Sequence, residues 1–264
     1  MPGRTAKPDF PWWLLAIIAL GVLACWRVAS DPLSAQIFAT LLKGVQVTLF
    51  VTAVGFSLAS ILGLCLAIAL LSRSLVLRQL ARFYVEIVRG IPILVLLLYV
   101  AFVFAPALVA LWNGLREALG LDPIRSRDFS LLWRATIALT IGYSAFLAEV
   151  FRAGLQSIDK GQIEAAEALG LNGRQRFRHI VFPQAIRTIL PPLGNDFVAM
   201  IKDSSLVSVL GVLDVTQLGK VTAAGNFRYF ETYNIVALIY LTLTITLSIL
   251  LRRLEHHLRR RDQR

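Results

Sequence analysis

The stretch SIDKGQIEAAEALGLNGRQRFRHIVFP, residues 157–183, is a run of charged and small side chains lying between two apolar segments. Asp159 is placed to cap a helix start, with Gln162 three residues on in a capping-box arrangement. Glu164, Ala165, Ala166, Glu167, Ala168 and Leu169 are nearly all strong helix formers, and Gly170 is a natural stop. Asn172-Gly173 then supplies a turn, after which Arg174, Arg176, Phe177, Arg178 and Ile180 begin a second amphipathic helix that Pro183 interrupts or bends. The stretch reads as a helix–turn–helix hairpin. Ala165, Ala166, Ala168 and Gly170 allow a partner surface to approach closely, and Leu169 and Phe177 supply apolar anchors. Composition leaves a second reading open, an amphipathic loop on lipid headgroups held by Arg174, Arg176 and Arg178.

Outward from this stretch the chain is apolar: 57% of its 264 residues are hydrophobic and the mean hydropathy is +0.69. That is too greasy for an ordinary soluble domain and gives several runs near bilayer-spanning length. We read an all-α integral membrane protein of about six spans, at 12–29, 45–71, 87–110, 131–151, 191–212 and 233–251. Residues 33–44, carrying Lys43, read as an interfacial lead-in. Leu, Ile, Val, Ala and Phe run consecutively through whole spans, which excludes the alternating pattern of a β-barrel. The net charge of +11 does not indicate nucleic acid, because Lys and Arg sit between apolar segments and not along one soluble face. Cys25 and Cys65 lie inside apolar runs with no ligand spacing, so no metal site is expected and both read as packing residues.

Orientation follows from the basic residues, which concentrate in cytoplasmic connections. Arg4 and Lys7, then Arg73, Arg78 and Arg82, then the cluster from Arg152 to Arg187, then the tail from Arg252 to Arg264 all fall on one side. That side, with both termini, is expected to be cytoplasmic. The opposite connections are balanced: Arg116, Arg125 and Arg127 against Glu117, Asp122 and Asp128, and Lys220 and Arg228 against Asp214 and Glu231. Arg27 and Arg134 sit at the wrong ends of their helices for this rule. The first span has a rival reading as a signal sequence, since Pro11 to Ala24 is a short apolar core after a basic start. Gly55, Ala59, Gly63 and Ala67 recur every four residues, a small-residue stripe that reads as intramolecular packing before a dimer seam.

Glu164-Ala165-Ala166, then Gly170, then Ile180 with Pro183, is similar to the EAA motif of permease subunits of ABC importers. Further motifs occur in order: YSAFLAEVFRAG at 143–154, SIDKGQIEAA at 157–166, FPQAIR at 182–187, PPLGN at 191–195, KDSSLVS at 202–208 and EIVRGIP at 86–92. Together, across about residues 41–255, they resemble the polar amino acid permeases of histidine, glutamate, glutamine, arginine and opine type. Phe182 stands where the family usually has Leu, Ala153 where Gly is usual and Leu96 where Gln is frequent. The resemblance implies a type I ABC importer permease fold: a five-helix core with an EAA loop at about 155–190, an extra N-terminal helix within 1–40 and a basic tail at 256–264. It implies that Gln162, Glu164, Ala165, Ala166, Leu169, Gly170 and Phe177 form the surface that couples to a separate ABC ATPase. The implied partners are two ATPase subunits, a second permease subunit, an extracytoplasmic solute-binding protein, membrane lipid and a polar amino acid substrate. ATP and Mg belong on the ATPase, and this chain is expected to bind no cofactor and to catalyse no bond chemistry. Residues 211–220 have the wrong spacing for a phosphate loop.

Ionisable groups at membrane depth usually face a protein interior or a water-filled path. Asn195 and Asp196, with Lys202 and Asp203 two turns on, form a polar stripe on the fifth span that lines a path or makes a structural cluster. We take Asn195 and Asp196 as candidate path residues. Glu86, Arg89, Glu149, Lys202 and Asp203 are candidate structural or gating residues, with Glu86 and Arg89, and Glu149 and Arg152, spaced for intramolecular pairing. Pro191, Pro192 and Gly194 are expected to open the fifth span. Two other functions fit parts of this pattern: an ABC permease for another small solute, and an ion-coupled carrier using Asp196 and Lys202.

Overall fold

Why the chain is helical throughout is visible in its longest element. The computed structural model describes residues 12–260; Arg4, Lys7, residues 261–264 and the side chain of Cys25 lie outside the described residues. After α1 (Trp12–Ser30), Asp31 caps the next helix through the amides of Leu33 and Ser34, and Pro32 occupies its first turn. Helix α2 then runs unbroken over Pro32–Leu70. Its 39 residues span about 58 Å, against roughly 30 Å of bilayer hydrocarbon. The expected lead-in at 33–44 is therefore not a separate segment. Ser34, Ile37, Leu41, Gly44, Thr48 and Val51 are all buried, so one packed stripe continues past Lys43.

A second correction concerns the third span. Residues 75–90 form a separate amphipathic helix, α3 (Leu75–Gly90), which buries Ala81, Val85 and Val88. The chain breaks at extended Ile91 and Pro92, because a residue before proline is pushed out of the helical region. Helix α4 (Ile93–Tyr99) then passes through a π turn, Val100–Phe104, into α5 (Ala105–Ala118). Helix α5 ends on Gly120 at φ +69, and the next long helix is α6 (Leu131–Gln156).

The remaining elements are α7 (Lys160–Ala168), α8 (Gly173–Arg176), a π turn at Phe177–Val181, α9 (Phe182–Asp203), a 3-10 turn at Ser204–Leu210, α10 (Val215–Asn226) and α11 (Tyr229–Arg260). Pro183 does not stop a helix. The widened turn before it, closed by the Phe182 amide on the Phe177 carbonyl, carries the chain into α9 with Pro183 in the first turn. Pro191 and Pro192 consequently sit inside α9 and do not open a span there. The carbonyls four residues earlier, Arg187 and Thr188, cannot receive the usual backbone bonds. Among the described residues, four stretches are long and apolar enough to cross a bilayer: Pro32–Leu70, Ile93–Ala118, Leu131–Gln156 and Tyr229–Leu254.

Helix α6 is the centre of the bundle, buried along most of its length. The small-residue stripe of α2 lies against it. A Cβ added at Gly63 would stand 3.0 Å from the Ser144 carbonyl and from the Leu147 Cβ, so a larger residue would have to push the two helices apart by a few tenths of an ångström. The intramolecular reading of the stripe holds. At the end of the bundle away from α7, Ile37 and Leu41 of α2 pack with Val215, Ile235, Val236 and Ile239.

That far end also explains the displaced arginine. Arg134 is 6% exposed and donates to the carbonyls of Phe129, Ala101 and Ser126 and to the Ser126 hydroxyl. Its charge is spent on pinning the 119–130 loop. Asp214, expected as a balancing surface charge, is buried and accepts from the Gln217 amide and the Tyr240 hydroxyl, while Lys220 donates to Ser208 and Arg228 pairs with Glu231 at 3.2 Å.

Candidate functional site: a charged hairpin and a cleft at the α3–α4 break

The hairpin at 157–183 forms as its residues dictate, with one change at its start. The Asp159 carboxylate accepts from the Gly161 amide at 2.7 Å, so the cap is made. Gln162 does not close a box with it; its Oε1 instead accepts from Gln184 Nε2 at 2.6 Å, tying α7 to the start of α9. At the other end Gly170, at φ +76, lets its own amide reach the Glu167 carbonyl and the Leu171 amide reach Ala166. This double closure ends α7 and turns the chain back. Asn172 and Gln175 form a reciprocal capping box on α8, and Arg176 pairs with Glu167 across the hairpin.

Burial sorts the expected coupling residues. Ala166 is 1% exposed and Ile163 packs on the main core, so that face of α7 belongs to the chain itself. Glu164 and Ala165 face outward, Leu169 is 80% exposed and Phe177 50%, its ring 6.0 Å from that of Phe182. Leu169 and Phe177 are thus large apolar groups held outward on a short, well-capped element.

Deeper in the bundle, the break between α3 and α4 leaves a cleft of about 490 Å³. Its walls are the segment from Val88 to Ile93, Tyr143 and Phe146 of α6, and Asp196, Ala199 and Asp203 of α9. Asp196 and Asp203 are seven residues apart and share a helix face, as the sequence spacing requires. Tyr143 donates to Asp203 at 2.7 Å. Asn195 and Lys202 are exposed on α9 and do not line this cleft, so the structure separates the two candidate pairs differently from the sequence.

A second cavity, about 610 Å³, opens beside the hairpin, where α2 and α6 end. Leu70, Arg78, Arg82, Val85, Glu86, Arg89, Glu149, Arg152 and Gln156 line it. Glu149 accepts from Arg152 at 2.6 Å, and Arg152 also donates to Gln156, so that expected pair forms. Glu86 and Arg89 do not pair. Arg89 lies instead over the ring of Phe146, 5.6 Å from its centroid. Such a contact contributes about 0.5–2 kcal/mol, little enough to be exchanged for an ion pair.

Two residues of this region escaped the sequence reading. Tyr143 and Phe146 lie in the quoted stretch 143–154 but carry no charge, and only their placement on the cleft wall marks them. Among the described residues no cluster of His, Cys, Asp and Glu could hold a metal ion.

Four stretches long and apolar enough to cross a bilayer, a charged hairpin at one end and a cleft lined by ionisable side chains are features that suit a transport subunit of the membrane. The chain belongs to the family of binding-protein-dependent transport system inner membrane components, which matches residues 55–261. It is 39% identical over 213 residues to "Probable amino-acid permease protein YxeN" of Bacillus subtilis (strain 168), covering 81% of this chain and 88% of that protein. It is 35% identical over 219 residues to the glutamine transport system permease protein of Escherichia coli (strain K12), covering 83% and 93%. The crystal structure of an amino acid ABC transporter with histidines superposes with a TM-score of 0.70 at 34% identity, covering 84% of this chain and 96% of that one. An inward-facing methionine ABC transporter matches in fold, with a TM-score of 0.63 at 21% identity over 83% and 95%. The fold is that of a type I ABC importer permease, and the chain is a transport component whose ATPase is a separate subunit.

Proposed function

We propose that this chain is the membrane subunit of an ATP-driven importer of polar L-amino acids, acting as one of two permease subunits. The observation that carries the reading is the cleft. It presents the carboxylates of Asp196 and Asp203 and the guanidinium of Arg89 on neighbouring walls, which suits a ligand bearing both an ammonium and a carboxylate. That its relatives include permeases for glutamine and other amino acids supports the same cargo class.

In this reading the basic hairpin end is cytoplasmic and the chain sits in the inner membrane with both termini inside. Glu164, Ala165, Leu169 and Phe177 meet the ATPase, while Ala166, Gln162 and Gly170 hold that surface in shape. Closure of two ATPases on ATP and Mg presses on α7, and the Gln162–Gln184 bond passes the displacement to α9, which carries Asp196 and Asp203. A solute-binding protein delivers cargo at the opposite face. The transmembrane domain runs from α2 to about residue 255, preceded by α1 as the extra helix and followed by the basic tail.

The test is reconstitution with the ATPase and binding protein. ATP-dependent uptake of labelled polar amino acids is expected. Uptake by the permease alone under an ion gradient, or ATP-driven uptake of a different solute class only, would refute the proposal.

A further inference from the structure

Among the described residues, Arg89 is the one common to the walls of the cleft at the α3–α4 break and of the arginine-lined cavity beside the hairpin. It stands at the last turn of α3, and its partner Phe146 reaches from α6 on the cleft side. One turn further along α6, Glu149 already belongs to the second cavity. The two cavities are thus consecutive along the same pair of helices, and the Arg89–Phe146 contact stands between them.

We propose that this contact is a gate opened by the carboxylate of the cargo. The proposal rests on the reading of the cleft as the amino acid site. A carboxylate entering the cleft competes with the Phe146 ring for the Arg89 guanidinium, because a charge-assisted, bidentate bond outweighs a cation–π contact. Once drawn off the ring, Arg89 has a second resting place. Glu86 lies one turn earlier on α3, lines the hairpin-side cavity and has no ion-pair partner among the described residues. The exchange needs only rotation of the Arg89 side chain, since Glu86 lies one turn earlier on the same helix. The Glu86–Arg89 pair expected from spacing alone is then the open state, and the stacked arginine is the closed one. Among the described residues, the four arginines of the hairpin-side cavity, opposed by two glutamates, favour onward passage of the carboxylate end.

The experiment places a reporter thiol in the cleft, Ala199→Cys, in the complete transporter with Cys25→Ser and Cys65→Ser. A membrane-impermeant sulfonated maleimide is supplied from the hairpin side of proteoliposomes. Labelling is expected to be at least tenfold faster in Phe146→Leu and Arg89→Ala than in the parent, and glutamine, but not its decarboxylated analogue 4-aminobutanamide, is expected to accelerate the parent. Arg89→Lys, which keeps the charge without the planar fork, provides a second variant should either of the first assemble poorly, with intermediate labelling expected. Equal labelling in parent and folded variants would overturn the gate, and equal acceleration by both compounds would overturn the carboxylate trigger. Accelerated labelling in a transporter whose parent moves no amino acid would instead leave the gate standing and remove the cargo reading.

Discussion

Tyr143 of α6 and Asp203 of α9 meet across the cleft, the phenol donating to the carboxylate at 2.7 Å. This bond joins the central helix of the bundle to the element that the hairpin would move. Tyr143→Phe removes the donor and leaves the carboxylate one partner short, so a stability loss of about 1–3 kcal/mol is expected. Thermal unfolding of the purified protein measures it, and amino acid uptake is expected to fall at the same time. An unchanged melting temperature would remove the bond from the fold's essential contacts.

Asp196 faces the cleft and Asn195 does not. Asp196→Asn is expected to lower uptake at least tenfold with ATPase association intact, whereas Asn195→Ala leaves the affinity for cargo at this site unchanged. Binding of labelled substrate to the detergent-solubilised complex separates the two.

The proposed coupling surface divides by burial. Leu169→Ser and Phe177→Ser alter exposed groups, so membrane insertion and melting are expected to stay within about 0.5 kcal/mol of the parent while affinity for the ATPase falls tenfold or more. Ala166→Glu places a charge at a site 1% exposed and is expected to unfold the hairpin itself. Limited proteolysis at the 157–183 segment, compared with co-purification of the ATPase, distinguishes lost docking from lost structure.

Two glycines test the packing account. A Cβ at Gly44 would lie 2.5 Å from the backbone nitrogen of Val215, so Gly44→Ala must push α2 away from α10 and is expected to cost about 1–3 kcal/mol. Gly114 lies within α5 with nothing within 4 Å of its would-be Cβ, and Gly114→Ala is expected to stabilise by about 0.5–1 kcal/mol. Melting temperatures moving in the same direction would contradict this.

Arg134 donates to three backbone carbonyls and one hydroxyl. Arg134→Met fills the space but leaves those acceptors unpaired, and a loss of at least about 2 kcal/mol is expected, with faster hydrogen exchange at residues 119–130. Arg134→Lys, with fewer donors and no fork, is expected to fall between.

Helix type and most helix ends were legible because they depend on neighbours in sequence. Asp159, Gly170 and the Asn172 turn act within a few residues, and each does in the structure what its chemistry predicts. Hydropathy placed the long apolar helices on the same grounds. Proline misled twice for a reason of register: Pro183 follows a π turn, and Pro191-Pro192 is held inside α9, where the surrounding packing outweighs missing backbone bonds. Lys43 misled because polarity at one position says little about a helix whose buried stripe lies on another face.

Local chemistry thus settled that this chain is a bundle of membrane helices bearing a capped, charged hairpin, since each of those features arises from residues one to four positions apart. Which side chains share a cleft was decided only by tertiary packing. Asp203 joined Asp196 because they face α6, Asn195 and Lys202 turned away, and Arg89 left the glutamate one turn behind it for a ring 57 residues ahead, since Gly142 brings α4 and the α3–α4 break close to α6. Spacing along a helix offers Arg89 a partner, but only the packed bundle supplies the competing aromatic face, and the free-energy difference between the two is small enough for the surroundings to choose.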